Sequence, residues 1–211
     1  MTPAAEVAAG APVATGRPPL IDARSWFDRS AAEVAPDLLG ALLIHDTPAG
    51  RIAGRIVEVE AYLGPEDLAA HSSRGRTPRN AVMFGEPAHL YVYLVYGMHH
   101  CANLVCGPGD KPEAVLLRAA AISEGVELAR ERRSRVPDVR LASGPGNLAA
   151  AFGIDRRHNG SDLLSGPIRL AQPPETVEVE RSARVGVDYA GAWTDRPLRY
   201  AVRDDPHRSR R

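Results

Sequence analysis

The sequence is short of cysteine, lysine and aromatic residues, has no excess of either charge, and contains no long apolar run. Only 2 cysteines among 211 residues cannot staple a scaffold, so a disulfide framework is excluded and a reducing, intracellular (cytoplasmic, nucleoid-associated) setting is expected. No stretch approaches the roughly 18 consecutive apolar residues of a membrane-spanning helix, so no membrane partner is expected. The 26 Lys+Arg balance the 26 Asp+Glu. Zero net charge weighs mildly against strong nonspecific nucleic-acid binding, although the local distribution counts for more than the sum. Lys111 is the only lysine. Every other cation is arginine, which keeps its charge at any working pH and grips phosphate with a planar fork.

What is present is ordinary for a folded chain. Hydrophobic residues make up 44% and charged residues 25%, which excludes a largely disordered protein. The length allows one domain with tails. Residues 1–19 are Ala/Pro-rich and lack the basic start and apolar stretch of a signal peptide, so they read as a flexible tail. Residues 20–203 form the expected domain, and the polar end 204–211 is expected to fray.

A capping-box pair, Ser30 with Glu33, predicts a helix that stops at Gly40, with Pro36 awkwardly inside it. ALLI, a DTPAG turn and RIAGRIVEVEAYLG read as a hairpin. Residues 68–87 are loop-like. HLYVYLVYG, CANLVC and EAVLLRAAAI read as three strands, the first two joined at Gly97. A helix is expected over Ser123–Arg135, with its arginines 130, 132, 133 and 135 on a solvated face. A shorter helix follows Ser143, where SGPGN could offer backbone N–H groups to a phosphate. IRLA, TVEVERSARVGV and LRYAVR return to strand. The fold class is α+β: one compact domain with a curved, mostly antiparallel sheet and several flanking helices.

Two features carry chemistry. Alternation along Ile56–Leu63 places Val57, Val59, Ala61 and Leu63 on one face and Glu58, Glu60 and Tyr62 on the other. That second face is either solvated or part of a site opening where Gly64-Pro65 ends the strand. Tyr91, Tyr93 and Tyr96 are half of the 6 tyrosines. They form either a structural cluster or a base-stacking wall with a wedge projecting at the Gly97 turn.

The segments EVEAYLGPEDLAAHSSRGRTPRNAVMF, HLYVYLVYGMHHCANLV, LLRA, SGPGNLAAAFGI and ARVGV strongly resemble the alkyladenine (3-methyladenine) DNA glycosylase family. The match runs in order from about Leu38 to Arg203. The resemblance implies a monofunctional base-excision-repair enzyme that flips alkylated purines out of duplex DNA and hydrolyses the N-glycosidic bond, leaving an abasic site. Glu60 would be the base that activates water, and Arg118 would help hold that water and Glu60. Tyr62, His71, Tyr93 and Asn103 would form the base pocket, with Asn103 screening normal purines. Tyr96 and Met98 would lie on a protruding hairpin that enters the DNA. Glu58 receives no role from the match. Where relatives often carry lysine, this chain has Asn147.

Arg74, Arg76, Thr77 and Arg79 are candidates for phosphate contact around the flipped nucleotide, against the alternative of a solvated loop. The expected partner is double-stranded DNA bearing alkylated or deaminated purines, bound by a monomer without a cofactor. Substrates would be 3-methyladenine and 7-methylguanine, with hypoxanthine and ethenoadenine as the wider set. Attack by an amine is disfavoured because Lys111 sits in a Gly/Pro loop. No metal is expected: His99, His100, Cys101 and Cys106 alternate in direction and lack a second paired set. The rival readings are a small-molecule nucleoside or sugar hydrolase using Glu58 and Glu60, and a non-catalytic nucleic-acid-binding module.

Overall fold

One long strand organises the molecule. In the computed structural model, which describes residues 18–109 and 111–209, β2 (Gly50–Tyr62) runs through the middle of an antiparallel sheet. The remaining strands are β1 (Leu42–Thr47), β3 (Leu90–Val95), β4 (His99–Cys106), β5 (Glu113–Glu124), β6 (Ile168–Ala171), β7 (Val179–Ser182) and β8 (Arg199–Val202). The sheet order is β3-β4-β5-β2-β1-β6, with β8 also paired to β2 and β7 to β8. One edge of β2 is shared. β1 pairs with Gly50–Arg55, while β8 pairs with Glu58–Glu60. Between them the Ile56 backbone bonds with Gly40 and Ala41 instead. This split brings Arg199 of β8 opposite Glu60.

Among the described residues, three short α-helices cover the sheet. In α1 (Ala31–Asp37) the Ser30–Glu33 capping box forms as expected. A distant residue reinforces it: the Glu113 carboxylate accepts from the Ser30 hydroxyl at 2.9 Å and the Ala31 N–H at 2.7 Å. That ties the helix N-terminus to β5 and places negative charge where the helix dipole favours it. The helix proper stops at Asp37, one residue beyond Pro36, and Leu38–Gly40 form the turn into β1. In α3 (Pro145–Phe152) proline opens the helix and Gly153, in the left-handed region, closes it, the asymmetry expected of helix ends. Its Leu148 and Phe152 are fully buried, each contributing about 1.5–3 kcal/mol of apolar burial.

Four expectations need correction. The helix read as Ser123–Arg135 is α2 (Val126–Arg132), because β5 continues through Glu124 and the chain turns at left-handed Gly125. Of the four arginines expected on a solvated face, Arg130 and Arg135 are exposed, whereas Arg132 donates to Ala151 O, and Arg133 to Arg140 O and Leu141 O. Only Val179–Ser182 of TVEVERSARVGV is strand, and residues 183–187 leave the sheet and thread across it. The C-terminal end does not fray over 204–209. Asp205 pairs with Arg55 at 2.5 Å, and Arg208 and Ser209 bond into the body of the fold. Residues 1–17 of the expected N-terminal tail lie outside the described residues.

Candidate active site

The strand face bearing Glu58, Glu60 and Tyr62 is interior, not solvated. Both carboxylates have 0% exposure, because loop 183–187, β8 and the chain end close over that half of β2. Buried charge is tolerable only when paired and hydrogen-bonded, and here the pairing is thorough. Glu60 Oε1 accepts the Val185 N–H at 2.8 Å and faces Arg118 Nη1 at 3.2 Å, while Oε2 accepts the Tyr62 hydroxyl at 3.0 Å. Glu58 Oε1 takes Arg118 Nε at 2.7 Å and Arg199 Nε at 2.8 Å. Burial pushes the Glu58 carboxyl up, but Arg118, Ser209 and Arg199 outweigh it and hold the group below its ordinary range. Burial opposes the Arg118 charge, yet Glu60 and Glu58 raise its pKa.

Arg184 and Asp67 form a second buried pair, bidentate at 2.5 and 2.8 Å. The Asp67 carboxylate also accepts the Leu63 and Ala69 N–H groups. Arg184 donates to Ala61 O, and its guanidinium lies 4.7 Å from the centroid of the Tyr62 ring. The back of Tyr62 is therefore covered by a cation, while Tyr62 also lines a cavity. Three carboxylates thus meet three guanidiniums beneath one wall of that cavity.

The cavity, about 740 Å³, is walled by Tyr62, His71, Tyr91, Tyr93, Asn103 and Arg118, with Tyr96 at its mouth. Glu60 does not itself line it but is bonded to three residues that do, Tyr62, Arg118 and Val185. Antiparallel pairing explains the wall. Tyr91 and Tyr93 are two apart on β3 and share a face, with ring centroids 5.4 Å apart. Their partners Asn103 and Cys101 stand directly across on β4. The Asn103 amide donates to Tyr91 O at 3.1 Å, which fixes its orientation. The His71 ring sits 4.4 Å from that of Tyr93 and its Nδ1 is 2.9 Å from the Tyr91 hydroxyl. Burial, Arg79 and Arg74 lower the His71 pKa, keeping the ring neutral near pH 7. Burial pushes the phenols up, Tyr91 to about 12 and Tyr62 and Tyr93 well above 10. The wall therefore consists of neutral π faces.

At the hairpin tip, Tyr96 (φ 50°) and Gly97 (φ 71°) both take positive φ, and Met98 N–H bonds to Val95 O at 3.1 Å. The connection between the paired Val95 and His99 is three residues, Tyr96–Met98, and its first two take the left-handed region. A tyrosine there is strained, and such strain gathers at functional positions. Tyr96 is 89% and Met98 70% exposed. His99 below the tip packs on α3: a Cβ at Gly146 would come within 3.1 Å of the His99 Cβ.

The arginine loop is only partly gathered. Arg74, Thr77 and Arg79 line a hollow of about 320 Å³ beside the main cavity, together with Leu68, Ser73 and exposed Tyr189, whereas Arg76 does not. Thr77 donates its hydroxyl to Asn80 Oδ1, and buried Asn80 in turn holds His71 O and Gly75 O. Asn80, Asp67, Arg184, Arg199 and Ser209 escape a sequence reading. Their only local signal is a polar residue in an apolar or loop setting, and, Asn80 aside, decisive partners are distant in sequence. In SGPGN the expected free N–H groups are partly spent: Gly144 N–H donates to Arg118 O, and the Asn147 amide returns to Ser143 O. Both cysteines are buried and unpaired, and burial raises Cys101 to about 11. Among the described residues no three His, Cys, Asp or Glu side chains gather as metal ligands, and no helix is long and apolar enough to cross a membrane.

Residues 25–206 match the family model described as methylpurine-DNA glycosylase (MPG). A relative from Streptomyces avermitilis is 49% identical over 191 residues, covering 87% of this chain and 88% of its own. One from Methanocella arvoryzae is 46% identical over 190 residues (89% and 95%), and one from Leifsonia xyli subsp. xyli is 47% identical over 189 (87% and 89%). All three are named as candidate 3-methyladenine DNA glycosylases. The chain therefore belongs to the methylpurine-DNA glycosylase family and is a DNA glycosylase, a hydrolase of DNA repair.

Proposed function

We propose that this enzyme everts alkylated purines, 3-methyladenine and 7-methylguanine, from duplex DNA and hydrolyses their N-glycosidic bond with a water activated by Glu60. Hypoxanthine and ethenoadenine are the wider candidates. The observation that carries this reading is one cavity in which a sheltered carboxylate underlies a wall of neutral aromatic rings.

Alkylation at N3 or N7 makes the purine cationic. Each neutral π face then attracts it by roughly 0.5–2 kcal/mol, and a neutral His71 does not repel it. The charged base departs as a neutral purine without needing a proton. The sugar left behind develops oxocarbenium character, which a nearby carboxylate stabilises while taking the proton of the attacking water. Glu60 Oε2 spends one acceptor position on Tyr62, which leaves a second lone pair to accept from that water. Arg118 orients the carboxylate from the side. Asn103 rejects bases with an extra exocyclic group. Tyr96, standing clear of the surface, fills the gap in the duplex, a feature without use in a hydrolase of free nucleosides. Arg74, Thr77 and Arg79 hold the phosphates around the everted nucleotide, and the protein works as a monomer. Water is the nucleophile, because exposed Lys111 lies outside the cavity wall.

The test is Glu60→Gln. It is expected to keep binding to a duplex containing an abasic-site mimic while losing base release. Unchanged release refutes the assignment, and equal loss of binding favours a structural role for Glu60.

A further inference from the structure

We propose that Ser209, downstream of β8, is a positioning residue for base release: through Glu58 it fixes the Arg118 guanidinium against Glu60. The inference rests on Glu60 being the base.

The chain end is delivered to this spot by several anchors. After β8, Asp205 pairs with Arg55, and Arg208 Nη1 meets Glu180 at 2.7 Å. The Arg208 carbonyl accepts the Ser143 hydroxyl at 2.8 Å and Arg140 Nη1 at 3.0 Å. Ser209 then enters the buried charge cluster. Its N–H donates to Glu58 Oε2 at 2.5 Å, its hydroxyl donates to Glu58 Oε1 at 2.7 Å, and the same oxygen accepts from Arg118 Nη2 at 3.1 Å. Arg118 therefore spends Nε on Glu58 and Nη2 on Ser209, which leaves Nη1 directed at Glu60.

Two nitrogens of a planar guanidinium cannot be held without fixing the third. This gives Glu58 a task. It is not a second acid but the anchor of the arginine, and Ser209 completes its shell. The groups facing Glu58 are Arg118 on β5, Arg199 on β8, Ser209 with Arg208 on the returning chain, and Glu60 two positions along its own strand. Without the hydroxyl, one bond that keeps Glu58 ionised is gone and one nitrogen of Arg118 is released.

The experiment compares wild type, Ser209→Ala, Ser209→Thr and Glu60→Gln in single-turnover release of methylated purines from methyl-labelled duplex DNA, as a function of pH. Binding to an abasic-mimic duplex and thermal unfolding are measured in parallel. Loss of one hydrogen bond to a charged group predicts a roughly tenfold slower release for Ser209→Ala. Its acid limb moves to higher pH, duplex binding is near wild type, Tm falls by only a few °C, and Ser209→Thr restores rate and limb. A wild-type rate and limb in Ser209→Ala, with Glu60→Gln inactive, overturns the positioning role and leaves Glu60 as base. A loss in Ser209→Ala that merely parallels weaker binding or lower Tm, or that threonine does not restore, also overturns it. Full activity of Glu60→Gln overturns the proposed base and this inference with it.

Discussion

Asp67→Ala isolates the part of the site that holds Tyr62 from behind. The substitution removes the carboxylate facing Arg184, and both side chains are wholly buried. It leaves the guanidinium with only the carbonyls of Ala61 and Trp193, and it frees the Leu63 and Ala69 N–H groups. Breaking a buried pair from one side costs about 3–5 kcal/mol, since the surviving charge is uncompensated. At about 2–4 °C per kcal/mol for a domain of this size, Tm falls by roughly 6–20 °C. Removing both charges, as in Asp67→Leu with Arg184→Met, deletes the orphan charge as well. The double variant is therefore expected to be more stable than Asp67→Ala, and the cycle strongly non-additive. Thermal unfolding of Asp67→Ala, Asp67→Leu, Arg184→Met and the double variant against wild type measures this. Base release in the double variant reports separately on Tyr62, because its ring has lost the cation 4.7 Å away. A Tm for Asp67→Ala within 3 °C of wild type (below about 1.5 kcal/mol), or additive losses in the cycle, refutes the reasoning.

Tyr96→Gly relieves a positive φ at an exposed residue, so Tm is expected to stay within about 2–4 °C of wild type. Release from duplex falls by about fivefold to about a hundredfold, since stacking is worth roughly 1–3 kcal/mol per base; equal duplex activity removes the wedge role. Asn103→Ala widens the cavity beside Tyr91, and release of undamaged guanine from duplex DNA is expected to rise. An unchanged lesion-to-normal ratio counts against Asn103 as the screen. His45 is buried, with its Nδ1 2.8 Å from Phe152 O, and burial foremost lowers its pKa. Its folded pKa lies below the unfolded value of about 6.5, so its stabilising contribution is full above that pH and is lost as pH falls through the folded pKa. The Tm of wild type should therefore drop more steeply than that of His45→Gln between about pH 6.5 and 5; parallel curves sink this assignment.

The local patterns settled a good deal. Strand alternation in ALLI, EVEAY and LYVYLV, the Ser30–Glu33 box and the Tyr96-Gly97 turn all depend on neighbours in sequence, and each element formed where its residues predicted. The same periodicity put Glu58, Glu60 and Tyr62 on one face, and Tyr91 with Tyr93 on another. It could not say whether the first face met water. That depended on a loop 120 residues later and a chain end later still, whose contacts are set by packing and not by spacing. Residues 183–187 carry a strand-like pattern yet leave the sheet, because Arg184 finds Asp67 and Val185 finds Glu60. Arg132 and Arg133 looked solvated from their spacing but donate to carbonyls beyond the helix.

What the sequence by itself determined is the α+β class, the aromatic wall, the exposed tip and the family. Only the tertiary structure decided that the acidic face is an interior, charge-balanced cluster closed by Ser209. The physical reason is that a buried ion must recruit its counter-ions from wherever the fold can deliver them, and no local pattern records that distance.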